Sequence, residues 1–295
     1  MTFFLQLLIT GFAQGMVYAL VALGFVIVLK CSQGFNVAQG QFVMIGGYLG
    51  YTFLATLHLP VWLCLVLAVI VAIIMGLVVE RFVVRPLIGK PVLAIIMVTM
   101  GLATVLDGVA VFGWGSQYLT YHGLLPTINL KVGELSVPPE TLIAIMVSII
   151  AVTILMLFFR YTRSGLAMRA TAEDEQVVQV AGIKVTTVYA ISWVIAWVVG
   201  VIGGILLGGQ GGVTIQMEHV GLKALAVVLL GGIDSIEGAV VAGIILGVLE
   251  NIASGYLDPL LPAGGVASVF PFVVMIVVLV FRPYGLYGLK RIERI

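Results

Sequence analysis

The sequence has very little charge. Of 295 residues, 14 are Lys or Arg and 13 are Asp or Glu, 9% in all, whereas soluble chains carry about a quarter. That is too few to coat a water-soluble globule. With 62% hydrophobic residues and a mean hydropathy of +1.24, the chain reads as an integral membrane protein. A separate soluble domain is excluded, so residues 1–295 form one transmembrane domain. No Lys or Arg precedes Lys30, which leaves no basic n-region of a signal peptide, and the N-terminal apolar stretch is expected to remain as a span. Two cysteines, Cys31 and Cys64, cannot build a disulfide framework and read as packing residues. A net charge of +1 argues against nucleic acid as a partner. The histidines, His58, His122 and His219, lie far apart and offer no ligand pair, so no metal site is expected. The one Gly-Lys pair, Gly89-Lys90, runs into Pro91 without the earlier glycine a phosphate-binding loop needs. The chain should not hydrolyse ATP, and no Ser, His and acid grouping suggests another enzyme.

Apolar runs are plentiful. At about 20 residues per crossing there is room for about eight or nine transmembrane helices in an all-α fold. Hydropathy places them at Phe3 to Leu29, Phe42 to Leu57, Val61 to Val79, Val92 to Phe112, Leu142 to Phe159, Val188 to Leu207, Ala239 to Ile252 and Val266 to Phe281. A ninth, Leu222 to Leu230, is too short to cross alone. Basic residues collect on the cytoplasmic side. One phase puts all of them inside except Lys131 and Lys223, with the N-terminus outside, the C-terminus cytoplasmic and an odd number of crossings. The 36 glycines often recur at four-residue spacing, as Gly11/Gly15, Gly46/Gly50, Gly200/Gly204/Gly208 and Gly243/Gly247. Such pairs let helix backbones approach closely, and Gly46, Gly50, Gly243 and Gly247 are assigned to helix packing.

Three polar features stand out. The largest is the cytoplasmic loop at residues 160–185. Thr171 is placed to cap a helix of about ten residues that carries Glu173, Asp174 and Glu175 at its start and closes at Gly182. Val177, Val178 and Ala181 would share one face, suiting either the membrane surface or the groove of a soluble partner. The second is Cys31 to Gln41, polar but uncharged, with Asn36, Gln39 and Gln41. A plain interfacial loop is the simpler reading, and a broken segment lining a cavity is the other. The third comprises the intramembrane acids. Glu250, followed by Asn251, should face the bundle interior or water because a charge at a span's centre is costly. Asp107, near an outer span end, can simply be solvated.

Taken together, these segments resemble the permease subunits of ABC importers for branched-chain amino acids, of the LivH type. The opening Gly15-Met-Val-Tyr18-Ala19-Leu20-Val-Ala22-Leu-Gly24 is similar to that family's first span, and Asn36-Val-Ala38-Gln39-Gly40-Gln41 to its Asn-Phe-Ala-His-Gly-acid segment. Glu80-Arg81 through Arg85-Pro86-Leu87 resembles its Arg-Pro-Leu loop, and Gly165-Leu-Ala167-Met168-Arg169-Ala170 with Gly182-Ile183 its coupling loop. Gly231-Gly232-Ile-Asp234-Ser235-Ile-Glu237-Gly238 through Glu250, and Arg282-Pro283-Tyr-Gly285, complete the likeness over nearly the whole chain. This sequence departs from the family at Gln39 and Gln41, where a His and an acid are usual, at Asp234 and Glu237, and at Gln176-Val177-Val178.

The resemblance implies a permease that moves branched-chain or other hydrophobic amino acids across a bacterial inner (plasma) membrane. Urea, short-chain amides and organic or aromatic acids are alternative solutes. It also implies a second, LivM-type permease, two cytoplasmic ATPase subunits carrying ATP and Mg, and an external substrate-binding protein, with no cofactor on this chain. Arg169, Ala170, Glu173, Asp174, Val177, Val178, Ala181 and Gly182 would then couple to the ATPases, while Asn36, Gln39, Gln41, Glu250 and Asn251 are candidates for the translocation pathway. The reading from another class is an ion-driven secondary transporter that uses Asp107 or Glu250.

Overall fold

The computed structural model describes residues 2–32, 34–121, 130–132, 135–261 and 264–288. Gln33, His122, Lys290, Arg291 and Arg294 lie outside the described residues, as do the side chains of Lys131 and Gln176. The architecture is helical: α1 (Thr2–Ser32), α2 (Gln39–Tyr51), α3 (Val61–Val79), α4 (Val92–Trp114), α5 (Pro139–Tyr161), α6 (Arg163–Glu173), α7 (Glu175–Val180), α8 (Val185–Gly211), α9 (His219–Gly231), α10 (Ile236–Leu257) and α11 (Val266–Phe281). A two-stranded antiparallel hairpin, β1 (Leu130–Val132) with β2 (Leu135–Val137), pairs Lys131 with Ser136 between α4 and α5. Proline sets several helix starts. Pro60, Pro91 and Pro138 stand immediately before α3, α4 and α5, where a missing N–H costs nothing. Six helices among the described residues are long and apolar enough to cross a membrane, and α2, α9 and α11 are shorter.

The core lies around α1, in which every residue from Gly15 through Val28 is buried. Glycines bring α10 against it: a Cβ on Gly247 would lie 2.3 Å from the Gly15 Cα, and one on Gly243 would lie 2.8 Å from the Ala19 Cα. On the other flank α8 packs Trp193 and Trp197 around Phe42 of α2, with the Phe42 and Trp197 rings stacked at 4.0 Å. A Cβ on Gly46 would meet the Val201 carbonyl at 2.4 Å, and one on Gly50 the Tyr121 hydroxyl at 2.9 Å. The outer helices are inverted relative to a soluble protein. On α3, α4, α5 and α11 large apolar side chains point outward, with Phe112 96%, Val280 73% and Ile150 58% exposed. Only a hydrocarbon surround makes such a surface stable, and there the backbone must satisfy itself, as these helices do.

The stretch between α1 and α2 corrects the interfacial-loop reading. Asn36 is 1% and Gln39 0% exposed. The Gln39 amide lies against Gly24, eight residues before the end of α1 at Ser32, so the chain climbs back by about 12 Å before α2 begins. Gln39 also sits level with Ala196, the twelfth of the 27 residues of α8. Thus α2 starts at mid-depth. So does α9, whose Gly221 would place a Cβ 2.6 Å from the Gly40 Cα. With 13 residues α9 rises about 20 Å, short of a full crossing. It is reached through Val213, which is bridged to Leu119, and a 3₁₀ turn at Ile215–Glu218. Two half-length helices therefore meet at their N-termini.

The loop at residues 160–185 also folds differently from expectation. Its main helix, α6, starts at Thr162, whose Oγ1 accepts from the Gly165 N–H at 3.0 Å. Thr171 is no cap. It lies inside α6 and donates to the Ala167 carbonyl at 2.8 Å. Met168 explains the earlier start, because it is fully buried with Ile27 of α1, Phe159 of α5 and Val188 of α8, and helical geometry from Thr162 onward is what turns it inward. The helix breaks at Asp174, which is extended (φ −155°), and the short α7 follows.

Candidate functional site

The first polar group is built by the break before α2. Asn36 Nδ2 donates to Gln39 Oε1 at 3.0 Å, and Asn36 Oδ1 accepts from the Ala38 N–H at 3.2 Å. Gln39 Nε2 donates to the Ala196 carbonyl of α8 at 3.1 Å. Thr99 of α4 accepts from the Val37 N–H and donates to the Phe35 carbonyl. These bonds satisfy irregular backbone at membrane depth, so Asn36 and Gln39 are committed to holding the chain. Gln41 is different. Its Nε2 donates to Glu218 Oε2 at 2.9 Å and lies 3.4 Å from Asp107 Oδ2, so one amide joins two carboxylates. Asp107 is therefore not an independent, solvated side chain: it is half-buried, and its Oδ1 is enclosed with no hydrogen-bond partner among the described residues. Glu218 was not a candidate in the sequence, where it sits in a polar connection between apolar segments. Only the return of α9 to mid-depth brings it to Gln41.

The second group surrounds Glu250, which is 2% exposed. Lys223 Nζ donates to Glu250 Oε1 at 2.7 Å, and Tyr18 Oη donates to the same oxygen at 3.2 Å. Tyr18 in turn accepts from Gln14 Nε2 at 2.5 Å, and Asn251 Nδ2 donates to Gln14 Oε1 at 2.7 Å. Glu250 and Asn251 thus end one chain of bonds that ties α1, α9 and α10 together. Lys223, which the charge distribution put on the outer side, is the ion-pair partner of Glu250 on α9. Its one sequence signal was that it is the lone basic residue inside an otherwise apolar segment. Glu250 Oε2 stays enclosed with no hydrogen-bond partner among the described residues.

The third group is the set of residues that the sequence offered for ATPase coupling. Val177 is 63% and Val180 90% exposed, and Ala181 is exposed beside them, whereas Val178 is 4% exposed and turned inward. The exposed apolar face is therefore Val177, Val180 and Ala181, without Val178. Asp174 Oδ1 accepts from the Val177 N–H at 3.1 Å and so caps α7. Glu173 and Asp174 are exposed, Arg169 and Ala170 half-buried, and Arg169 Nη2 reaches back to the Arg160 carbonyl at 3.4 Å. Gly182 has φ +83°, a conformation suited to glycine that ends the element. On the opposite side of the bundle, Tyr121 donates to the Ile205 carbonyl at 2.6 Å, and burial pushes its phenol well above the usual tyrosine range.

Comparison with known proteins adds independent findings. Residues 7–279 match the family described as branched-chain amino acid transport system / permease component. The chain is 30% identical to the high-affinity branched-chain amino acid transport system permease protein LivH of Salmonella typhimurium, over 99% of this chain and 98% of that one. It is 31% identical to the corresponding permease protein BraD of Pseudomonas aeruginosa over the same shares. In three dimensions it is similar to PsaBC from Streptococcus pneumoniae in complex with Fab. There the TM-score is 0.54 at 14% identity, covering 95% of this chain and 91% of that one, and the likeness concerns the fold.

Proposed function

Since the chain belongs to the branched-chain amino acid transport permease family, we propose that this multi-pass membrane permease is one half of the translocating core of an ATP-driven importer in the inner membrane. Its cargo is a branched-chain or other hydrophobic amino acid, as the names of its relatives suggest. A second, related permease completes the core, two cytoplasmic ATPases drive it, and an external binding protein delivers the solute. The N-terminus lies outside and the C-terminus inside, with nine membrane segments of which α2 and α9 are half-length.

The observation that carries this reading is the α6–α7 element. It leaves Val177, Val180 and Ala181 exposed while Met168 is wedged among residues of α1, α5 and α8. An ATPase groove that covers the apolar face gains its burial energy there. Movement of the element must shift Met168 against three long helices, because a packed cluster cannot absorb displacement without repacking. The ATPases can drive the permease from one arrangement to another only by binding α6–α7 differently in the two. Of the pathway candidates, Gln41 with Asp107 and Glu218 is best suited to meet a solute, since Asn36 and Gln39 are occupied by backbone. Gly46, Gly50, Gly243 and Gly247 keep the bundle close-packed.

Val177→Asp combined with Val180→Asp puts charge into the proposed contact without touching the core. The variant should insert and purify normally, lose ATPases on co-purification and lose uptake. Normal uptake with ATPases retained would contradict the coupling role.

A further inference from the structure

Where α5 meets α6 and the start of α10, the surface is indented by a groove of about 640 Å³. One wall is a single face of α5. Thr153, Met156, Leu157 and Arg160 fall at i, i+3, i+4 and i+7, so an apolar strip leads along the span to a guanidinium. Phe159 contributes to the apolar wall, and Arg169 of α6 stands at the same end as Arg160, bonded to its carbonyl. Thr153, Leu157 and Arg160 are exposed, so the groove opens sideways from the bundle. Neither arginine has a carboxylate at ion-pair distance, since the ion pairs among the described residues are Arg85–Glu80 and Lys223–Glu250. Between Ile154 and Ala172 the chain has three arginines and no Asp or Glu. The acid that lines the groove is Glu237 on α10, which leaves the groove with a net positive charge.

We propose that this groove binds an anionic phospholipid, with its headgroup phosphate between Arg160 and Arg169 and an acyl chain along Thr153, Met156 and Leu157. A soluble partner cannot reach Thr153, two turns into the span, whereas an amphiphile in the bilayer matches both ends at once. Basic pockets at the ends of membrane helices recognise anionic headgroups by charge, and Arg adds forked hydrogen bonding to phosphate. The bound lipid would bridge α5 to α6 and so brace the element that carries Met168. The inference rests on groove geometry and goes beyond the transport reading, because it would hold for any solute.

The test uses the full chain with whatever subunits co-purify, incubated in mixed micelles of equal parts phosphatidylglycerol and phosphatidylethanolamine, with retained lipid read by native mass spectrometry. Wild type should retain phosphatidylglycerol selectively, and Arg160→Gln with Arg169→Gln should lower that enrichment about thirtyfold, roughly the contribution of two basic residues. Arg163→Gln, outside the groove lining, should leave it unchanged. Leu157→Trp, which fills the apolar strip and spares the arginines, should also displace the lipid and keeps the test valid if the double variant misfolds. Equal retention of both lipids by wild type, or full retention of phosphatidylglycerol by the double variant or by Leu157→Trp, would overturn the proposal. So would loss of ATPases from the double variant with lipid binding intact, since the arginines would then belong to a protein contact.

Discussion

Glu250 and Lys223 are the most consequential single residues outside the coupling element. Their pair is nearly enclosed, with side chains 2% and 16% exposed, and removing one partner leaves the other charged and unpaired in a poor solvent for charge. Lys223→Met alone, or Glu250→Met alone, should destabilise the protein by about 3 kcal/mol, whereas the double variant should recover most of the loss. Thermal unfolding in detergent, compared across the four proteins, measures this; equal and additive losses would mean that the two charges act independently. The sequence marked Glu250 as a buried acid because its neighbours are apolar over many residues. It put Lys223 on the outer side, at the start of the short Leu222 to Leu230 segment, and gave it no partner, since the pairing depends on α9 and α10 lying side by side and no local periodicity encodes that. The amides divide in the same way: Asn36, Gln39 and Gln41 were legible as an uncharged polar set, but only the fold separates the two that hold backbone from the one that meets Asp107 and Glu218.

Among the elements, the long helices were the most legible. The predicted run Val61 to Val79 and the helix α3 have the same bounds, as do the last run and α11, because an apolar stretch flanked by proline or glycine leaves the chain few alternatives in lipid. The half-length helices were not legible. Hydropathy reports how apolar a segment is and is silent on the depth at which it starts. The start of α2 is set at mid-depth by the bond that Gln39 donates to the Ala196 carbonyl of α8 and by Thr99 of α4, which accepts from the Val37 N–H and donates to the Phe35 carbonyl. The α6 element was misread at its start for a similar reason: Thr162 and Thr171 are both capable caps, and the long-range burial of Met168 decides between them. Glycine spacing, by contrast, pointed to close contacts that are tight in space. Gly247→Leu must drive a side chain into α1 and should abolish a monodisperse folded product. Gly101→Leu on α4, where an added Cβ would meet nothing within 4 Å, should be tolerated. Size-exclusion profiles of the two variants compare them directly, and indifference to Gly247→Leu would mean that α1 and α10 do not pack as described.

For the whole molecule, the arrangement is a permease whose buried centre is α1 and whose proposed coupling element, α6 with α7, packs onto it through Met168. Such a chain has no energy source of its own in this account. On that proposal, a force applied at Val177, Val180 and Ala181 passes through Met168 to α1, α5 and α8, and α1 also carries Gln14 and Tyr18 of the Glu250 group. The contrasting account gives Asp107 or Glu250 the task of coupling an ion gradient, with no partner required. The most direct measurement is uptake of a radiolabelled branched-chain amino acid into proteoliposomes that contain the complex purified from native membranes, supplied with its binding protein. Either ATP or an imposed ion gradient is the sole energy source. The importer account predicts uptake with ATP and none with the gradient alone. Uptake driven by the gradient without ATP, and lost in Glu250→Gln, would contradict it.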